Sequence, residues 1–373
     1  MPKLAFIATE DWFFASHFLP MARAGVEMGL DVVVICRVRE HHQIIAATGA
    51  RVIALEAERR SLNPFSALAT TFRLARLMRR ESPAIVHCIA LKPILLGGAA
   101  ARLVGCRQRV YALTGLGFLG ARTDVIGRAA RAFVRGLIRG WLESKGTRYL
   151  FENEDDPRLL GLDPNQPNVT IVGGAGIDPI ALPEYPMPGG PTVRIAVIAR
   201  MLWSKGIDTA VEATRLARAR GANVELSLFG APDPSNPKAV PVETLRAWSR
   251  EPGISWYGPT SSVGDVWETH HLACLPSRGG EGLPRTLLES ASCGRPTLTT
   301  DVPGCRSFVR EGLDGYVVPP DDPAALADAI LRIATDRDLL ARMGRSAARR
   351  VRDGYTEADV MGSVQTLYRS LLT

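Results

Sequence analysis

No run of about eighteen apolar residues in this sequence is free of charge, so nothing in it reads as a helix that crosses a bilayer. The opening stretch MPKLAFIATEDWFFASHF lacks the basic n-region and the small-residue cleavage site of a secretory signal, and the expected compartment is the cytoplasm. Cysteine is sparse. Cys36, Cys88, Cys106, Cys274, Cys293 and Cys305 include no Cys-x-x-Cys pair, which argues against a disulfide framework and against structural zinc. What is present is the composition of a soluble globular protein, 46% apolar and 22% charged. The net charge is +7, and the first 185 residues carry +6 of it. Anionic partners therefore belong with the first half of the chain.

A chain of 373 residues exceeds one ordinary core, and two domains are expected. The stretch DPIALPEYPMPGGPT, with five prolines and adjacent glycines, admits no regular element and reads as a hinge. The expected division is a first domain over 1–180, a linker over 181–192, and a second domain over 193–355. A last helix over 356–373 packs back on either domain, with the first the better choice. On both sides of the linker, short β-rich runs such as KLAFIAT, DVVVICR, VRIAVIAR and VELSLFG alternate with helical patterns. That alternation predicts an α/β fold. Its two Rossmann-like domains are doubly wound parallel sheets facing a central cleft, with ligands at the strand C-termini.

Chemistry concentrates in GGEGLPRTLLESASCG. Pro284 is expected to open a helix that stops at Gly294, which places Glu281 on the preceding loop and Glu289 inside the helix. The helix start suits a phosphate, and a carboxylate suits vicinal hydroxyls. Upstream, VRIAVIARMLWSKGID is a strand followed by Arg200 and Lys205, a fork-shaped and a point-like anion ligand. Taken singly, each pair has an ordinary account as dipole-complementing or solvated charge. Together they set four charged groups at two strand ends of one domain.

Arg200, Lys205, Glu281 and Glu289, within PSRGGEGLPRTLLESASCGRPTLTTDVPGC, resemble the donor site of the retaining glycosyltransferase family 4, of the GT-B fold. The resemblance covers the whole chain. It implies that Arg200 and Lys205 hold the diphosphate of a nucleotide sugar. Glu281 would face the sugar as the catalytic carboxylate, Gly282, Leu283 and Pro284 would approach it through their backbone, and Glu289 would take the ribose hydroxyls. The donor is expected to be UDP-linked. In the first half, SHFLP, RRSLNPFSAL, HCIALKP and YALTGLGFLG resemble enzymes that extend diphospho-undecaprenol-linked saccharides, among them N-acetylgalactosaminyltransferases. This implies a lipid-diphosphate-linked acceptor there. His87 becomes a second catalytic candidate, and His17, Lys92, Thr114 and Gly115 become acceptor-side candidates. Departures from relatives are the loop TEDWFFASHF in place of a Gly-Gly loop, Ile89 in place of a second histidine, and Arg278 where a tyrosine is common.

The literal G-x-G-x-x-G at 115–120 lies deep in the domain without a ribose-binding acid after it, and reads as a flexible loop. No Asp-x-Asp follows an apolar strand, and adjacent histidines diverge, so no metal and no other cofactor is expected. Positive side chains and the helix dipole can stabilise a leaving diphosphate instead. In VIGRAARAFVRGLIRGWLESKGTR, Arg128, Arg131, Arg135 and Arg139 recur at helical spacing beside apolar residues including Phe133, Val134, Ile138, Trp141 and Leu142. That pattern suits an anionic membrane surface, or equally a helix covering its own core. The expected protein is a retaining hexosyltransferase of cell-surface polysaccharide or glycan synthesis, peripheral on the inner face of the plasma membrane, with no nucleic-acid partner. The alternatives are a transferase with a soluble small-molecule acceptor, and a non-catalytic nucleotide-sugar or nucleic-acid binding module.

Overall fold

The computed structural model describes residues 1–55, 63–115, 124–233 and 236–373, and of Ile126 the backbone alone. They divide into two compact units, 1–176 together with 357–373, and 177–356.

Among the described residues the first unit holds a seven-stranded sheet. Its strands are β1 (Lys3–Glu10), β2 (Asp31–Arg37), β3 (Arg51–Ala54), β4 (Ile85–Ile89), β5 (Arg109–Leu113), β6 (Thr147–Phe151) and β7 (Val169–Ile171). All neighbours pair in parallel, in the order β3-β2-β1-β4-β5-β6-β7. Near-continuous apolar runs are what a parallel sheet covered on both faces demands. β1 divides its side chains with period two: Leu4, Phe6 and Ala8 enter one core, while Ile7 enters the core on the opposite face. The helix Glu357–Leu372 completes the first of these cores, lying on the helix Leu19–Glu27. Arg23 Nη1 donates to Glu357 Oε2 at 2.7 Å beside that contact.

The second unit holds, among the described residues, six strands: β8 (Val193–Ile198), β9 (Val224–Phe229), β10 (Ile254–Gly258), β11 (Leu272–Leu275), β12 (Thr297–Thr300) and β13 (Gly315–Val318). Their order is β10-β9-β8-β11-β12-β13, again all parallel. The proline-rich stretch expected as a linker over 181–192 belongs to this unit. Arg295, completely buried, donates from Nε to Trp267 O at 2.6 Å and from Nη2 to Pro186 O at 2.9 Å. His271 Nε2 donates to Pro188 O at 3.0 Å, and Tyr185 N donates to Cys293 O at 3.3 Å. An irregular chain laid over a unit has carbonyls that no ladder satisfies, and buried side-chain donors take that role here. Of the motifs singled out above, 116–120 and 59–62 lie outside the described residues.

Candidate active site

In each sheet the chain turns outward in opposite directions from one pair of neighbours, β1 and β4 in the first, β8 and β11 in the second. The crevice beyond the C-terminal ends of such a pair is where open α/β sheets hold ligands. The loops that leave β8 and β11 carry Arg200, Lys205 and Glu281.

Lys205 closes the 3-10 turn Trp203–Lys205 that follows β8. The next residue, Gly206, has φ +67, and a Cβ there would sit 1.9 Å from Pro276 O. Only glycine lets this turn press against the loop leaving β11. The loop is fastened back by backbone and side chain alike. Arg278 N donates to Ser204 O at 2.9 Å, and Ser277 Oγ reaches the same carbonyl at 3.3 Å. The result is a short ion pair: Lys205 Nζ donates to Glu281 Oε1 at 2.5 Å, and Ser277 Oγ donates to that oxygen at 2.8 Å. Both side chains of the pair are mostly buried. Burial pushes the Glu281 carboxyl up, but the Lys205 ammonium, the Ser277 hydroxyl and Arg200 outweigh it and hold the group below the usual carboxylate range. Arg200 stands half-exposed, with Nη1 3.6 Å from Asp233 Oδ2. A carboxylate kept ionised, with two cations within reach of an anion, is an arrangement that can hold a diphosphate and orient a polar ring beside it.

Arg278 is the residue that sequence reasoning left aside, noted above as a departure only. Its Nη1 and Nη2 donate to Asp208 Oδ1 and Oδ2, both at 2.9 Å, and Nη2 reaches Thr209 Oγ1 at 3.3 Å. Its Nε meets the Asp321 carboxylate and its Nη1 the Trp203 carbonyl. One guanidinium therefore ties the loop after β11 to the turn that carries Lys205 and to the first residues of the helix Ile207–Ala219. Ser277, completely buried, escaped notice as well; the signal was its spacing of four from Glu281.

The helix after Glu281 runs over Arg285–Ser292, with Pro284 as its N-cap at φ −63 and ψ 122. The expectation that Pro284 opens the helix is thus one residue early, because its extended ψ ends the loop rather than starting the helix. Gly282, Leu283 and Pro284 are buried against this helix start. Glu289 is buried too, and Arg285 Nε donates to its Oε1 at 2.8 Å, an i to i+4 pair on one helical face.

His87 is not at a strand end facing a substrate. It lies inside β4 and is completely buried, with Nδ1 2.8 Å from Tyr368 Oη and its ring 4.8 Å from that of Phe6. Burial lowers its pKa to about 3, so the ring is neutral and belongs to the core beneath the last helix. His17 ends the helix Asp11–His17, half-buried, its Nδ1 2.6 Å from Ser16 Oγ. Lys92 sits in the first turn of the helix Leu91–Leu103, and Thr114 and Gly115 follow β5; all three are half-buried. At the end of β1, Asp11 is completely buried. Its Oδ2 accepts from Arg39 N at 2.6 Å and His41 N at 2.9 Å, and its Oδ1 accepts from Trp12 N at 2.7 Å.

The arginine-rich segment forms the helix Val125–Gly136, capped by Asp124, and a π-helical turn Leu137–Trp141. Val134, Ile138 and Leu142 point into the core, so most of its apolar side covers the sheet. Arg128, Arg135 and Arg139 are exposed and Arg131 is half-buried. Arg139 Nη1 donates to Gly161 O, and the Arg102 guanidinium lies 5.6 Å from the centre of the Trp141 ring. Among the described residues no helix is long and apolar enough to cross a membrane, and no group of three or more His, Cys, Asp or Glu is placed to hold a metal ion.

Residues 192–336 match the family model of glycosyl transferases group 1, and residues 3–140 that of glycosyl transferase 4-like proteins. Over 351 residues the chain is 25% identical to the N,N'-diacetylbacillosaminyl-diphospho-undecaprenol alpha-1,3-N-acetylgalactosaminyltransferase of Campylobacter jejuni, covering 89% of each chain. It is 20% identical to the capsular polysaccharide biosynthesis glycosyltransferase CapM of Staphylococcus aureus, over 96% of this chain and 95% of that one. Among solved structures, Anabaena HepE in complex with UDP-glucose superposes with a TM-score of 0.80 at 14% identity, over 99% of this chain and 100% of that one. Sucrose-phosphate synthase from Thermosynechococcus elongatus gives 0.78 at 16% identity, over 100% and 99%. At such identities these two likenesses speak for the fold alone.

Proposed function

This chain belongs to the GT-B glycosyltransferases of polysaccharide biosynthesis, and we propose that it moves a hexose or N-acetylhexosamine from a UDP-sugar to a polyprenyl-diphosphate-linked saccharide with retention at the anomeric carbon. The observation that carries the reading is the Lys205–Glu281 pair, with Arg200 near it, at the switch point of the second sheet. In this reading Arg200 and Lys205 take the diphosphate, and the charge that develops on the leaving UDP meets cations already in place. Glu281, released from Lys205 as the phosphates arrive, faces the sugar and stabilises positive charge at its anomeric carbon. Gly282, Leu283 and Pro284 line that side through their backbone, and Glu289 at the buried helix face takes the ribose hydroxyls. No metal is needed for this charge balance. The acceptor reading is supported by the Campylobacter jejuni relative, which is named for a diphospho-undecaprenol-linked sugar. His17, Lys92, Thr114 and Gly115 remain its proposed acceptor side, and the chain would work at an anionic membrane surface on the cytoplasmic side.

The test is UDP release and product formation with a lipid-diphosphate-linked acceptor, preceded by a thermal-shift screen of UDP-, GDP- and ADP-sugars. Glu281→Ala and Lys205→Ala should each lower transfer by at least about a hundredfold, the scale seen when a preorganised charge-stabilising group is removed. Wild-type transfer in either variant would refute the site. A donor shift with transfer confined to a soluble acceptor would keep the site and replace the lipid-linked acceptor.

A further inference from the structure

The helix Pro64–Glu81 buries Thr71, Leu74, Ala75 and Met78 and turns the opposite face to water. On that outer face Phe65 is 80% exposed, Leu68 55% and Phe72 57%. Their spacing of three and four residues gathers them within an arc of about 60°. The same arc continues into Arg76 and is flanked by Arg73 and Arg80, all exposed. The helix therefore presents an apolar first half and a basic second half along one line.

We infer that this face is a docking surface for an anionic lipid bilayer, with Phe65, Leu68 and Phe72 seated among the acyl chains and the arginines on lipid phosphates. Large apolar side chains grouped at the surface mark an interaction site, and three in one arc exceed what a free helix scatters. The arginines decide the occupant. The outer face of the helix offers no carboxylate, so a second copy laid antiparallel would set guanidinium groups against phenylalanine rings with nothing to neutralise them. Lipid phosphates neutralise them at the depth where the rings insert. The helix Val125–Gly136 lies on the same side of the sheet, because its Val134 shares a core with Leu74 and Met78. On that helix Phe133 is 71% exposed, and Arg128 and Arg135 are exposed as well, which adds an apolar and a basic contribution to that helical layer. The inference locates the membrane contact proposed above and rests on that reading for its setting. It moves the main contact from the arginine-rich segment expected from sequence to the helix Pro64–Glu81.

Vesicle flotation tests it. The wild-type chain should float with vesicles containing phosphatidylglycerol and stay behind with phosphatidylcholine alone. The pair Phe65→Ser/Phe72→Ser should lower the bound fraction at least tenfold. The pair Arg73→Glu/Arg76→Glu should lower it by at least about thirtyfold, since each arginine near such a surface is worth roughly a factor of five. These positions face water, so the unfolding temperature and transfer to a short-chain, detergent-soluble acceptor should stay at wild-type values. Flotation indifferent to both pairs, or equal on neutral vesicles, overturns the docking face. So does a concentration-dependent dimer in sedimentation that the phenylalanine pair abolishes, since the occupant is then a second copy. Flotation that depends on these residues in a protein that transfers only to a soluble acceptor supports the docking face while overturning the lipid-linked acceptor.

Discussion

The two sheets have one strand order in common and treat their switch points in opposite ways. Beyond β8 and β11, charged groups are drawn together and left reachable: Lys205 on Glu281, with Arg200 half-exposed near them. Beyond β1 the buried Asp11 carboxylate is taken up by three backbone N–H groups, and inside β4 His87 is sealed against Tyr368. Topology supplies the same crevice twice; in the first unit the buried carboxylate and imidazole hold loops and a helix, and in the second the charged groups are left reachable.

The sharpest way to break that contrast is to remove the cation from the furnished site. Lys205→Met leaves Glu281 buried with its ammonium gone, at a cost of about 3 kcal/mol in stability near neutral pH. The sign of the pH dependence follows. In the wild type the Glu281 pKa lies below its unfolded value, so the pair contributes stability above the ordinary carboxylate range and loses it as pH falls through the lowered value. Without Lys205, burial raises the carboxyl, and that group's contribution is greatest at low pH and declines as pH rises. The stability gap between the two proteins should therefore narrow from pH 7.5 to pH 5 in denaturant unfolding. A gap that does not change with pH would show that the ion pair is not its source.

Both sheets were legible in the sequence because buried parallel strands are apolar on both faces: KLAFIAT and VRIAVIAR need no long-range knowledge to be read. The loop after β11 was legible because Glu281, Pro284 and Gly294 punctuate a helix start and stop. What was not legible depends on contacts between segments far apart in the chain. Nothing near His87 announces that Tyr368, 281 residues later, covers it. Arg278 was noted only as a departure from relatives, because Asp208 lies 70 residues before it. The proline-rich stretch read as a tether because proline signals irregular backbone and says nothing of Arg295, whose donors hold it. The arginine-rich helix was open between two accounts since amphipathicity alone does not say which side a helix turns inward.

Arg278 sharpens the comparison within the furnished site. It touches neither Lys205 nor Glu281, yet its bonds to Asp208, Thr209 and the Trp203 carbonyl join the two loops that carry them. Arg278→Ala should lower kcat/KM by about 10- to 100-fold, as expected when groups a displacement away from the chemistry lose their register. The loss should fall mainly on kcat, with donor KM changed little, because Arg200 and Lys205 remain. Arg278→Lys should restore little, since an ammonium cannot bridge Asp208 in bidentate fashion. Full rescue by lysine would show that charge at this position matters and geometry does not.

A smaller effect belongs to the first unit. Tyr368→Phe removes the partner of His87 Nδ1, and among the described residues Nε2 already lacks one, so a wholly buried imidazole would be left without a hydrogen bond. The cost should be about 1–2 kcal/mol, read as a lower denaturant midpoint. The thermal shift given by a UDP-sugar should keep its size, since the second unit is untouched. A donor shift that shrinks with this variant would mean that the core of the first unit is coupled to the site of the second.

The smallest expected effect concerns backbone at the two corresponding exits. After β11 the chain passes Gly279 at φ 120 and Gly280 at φ 79, where glycine is at no disadvantage. After β4 the same service falls on Ala90, at φ 70 and ψ 165, a region that side-chain-bearing residues seldom enter. The conformation is fixed from both sides: Ala90 N donates to Ala112 O at 2.8 Å, and Ile94 N donates to Ala90 O at 3.1 Å, so the helix Leu91–Leu103 starts where the strand requires. Such a residue stores about 1–3 kcal/mol. Ala90→Gly releases it against roughly 0.5–1 kcal/mol of added chain entropy in the unfolded state, along with the loss of one half-buried methyl. The net gain should be up to about 1 kcal/mol, visible as a raised denaturant midpoint with an unchanged slope. A lowered midpoint would mean that the methyl packs better than the backbone suffers, and the contrast between the two exits would then be one of side chains alone.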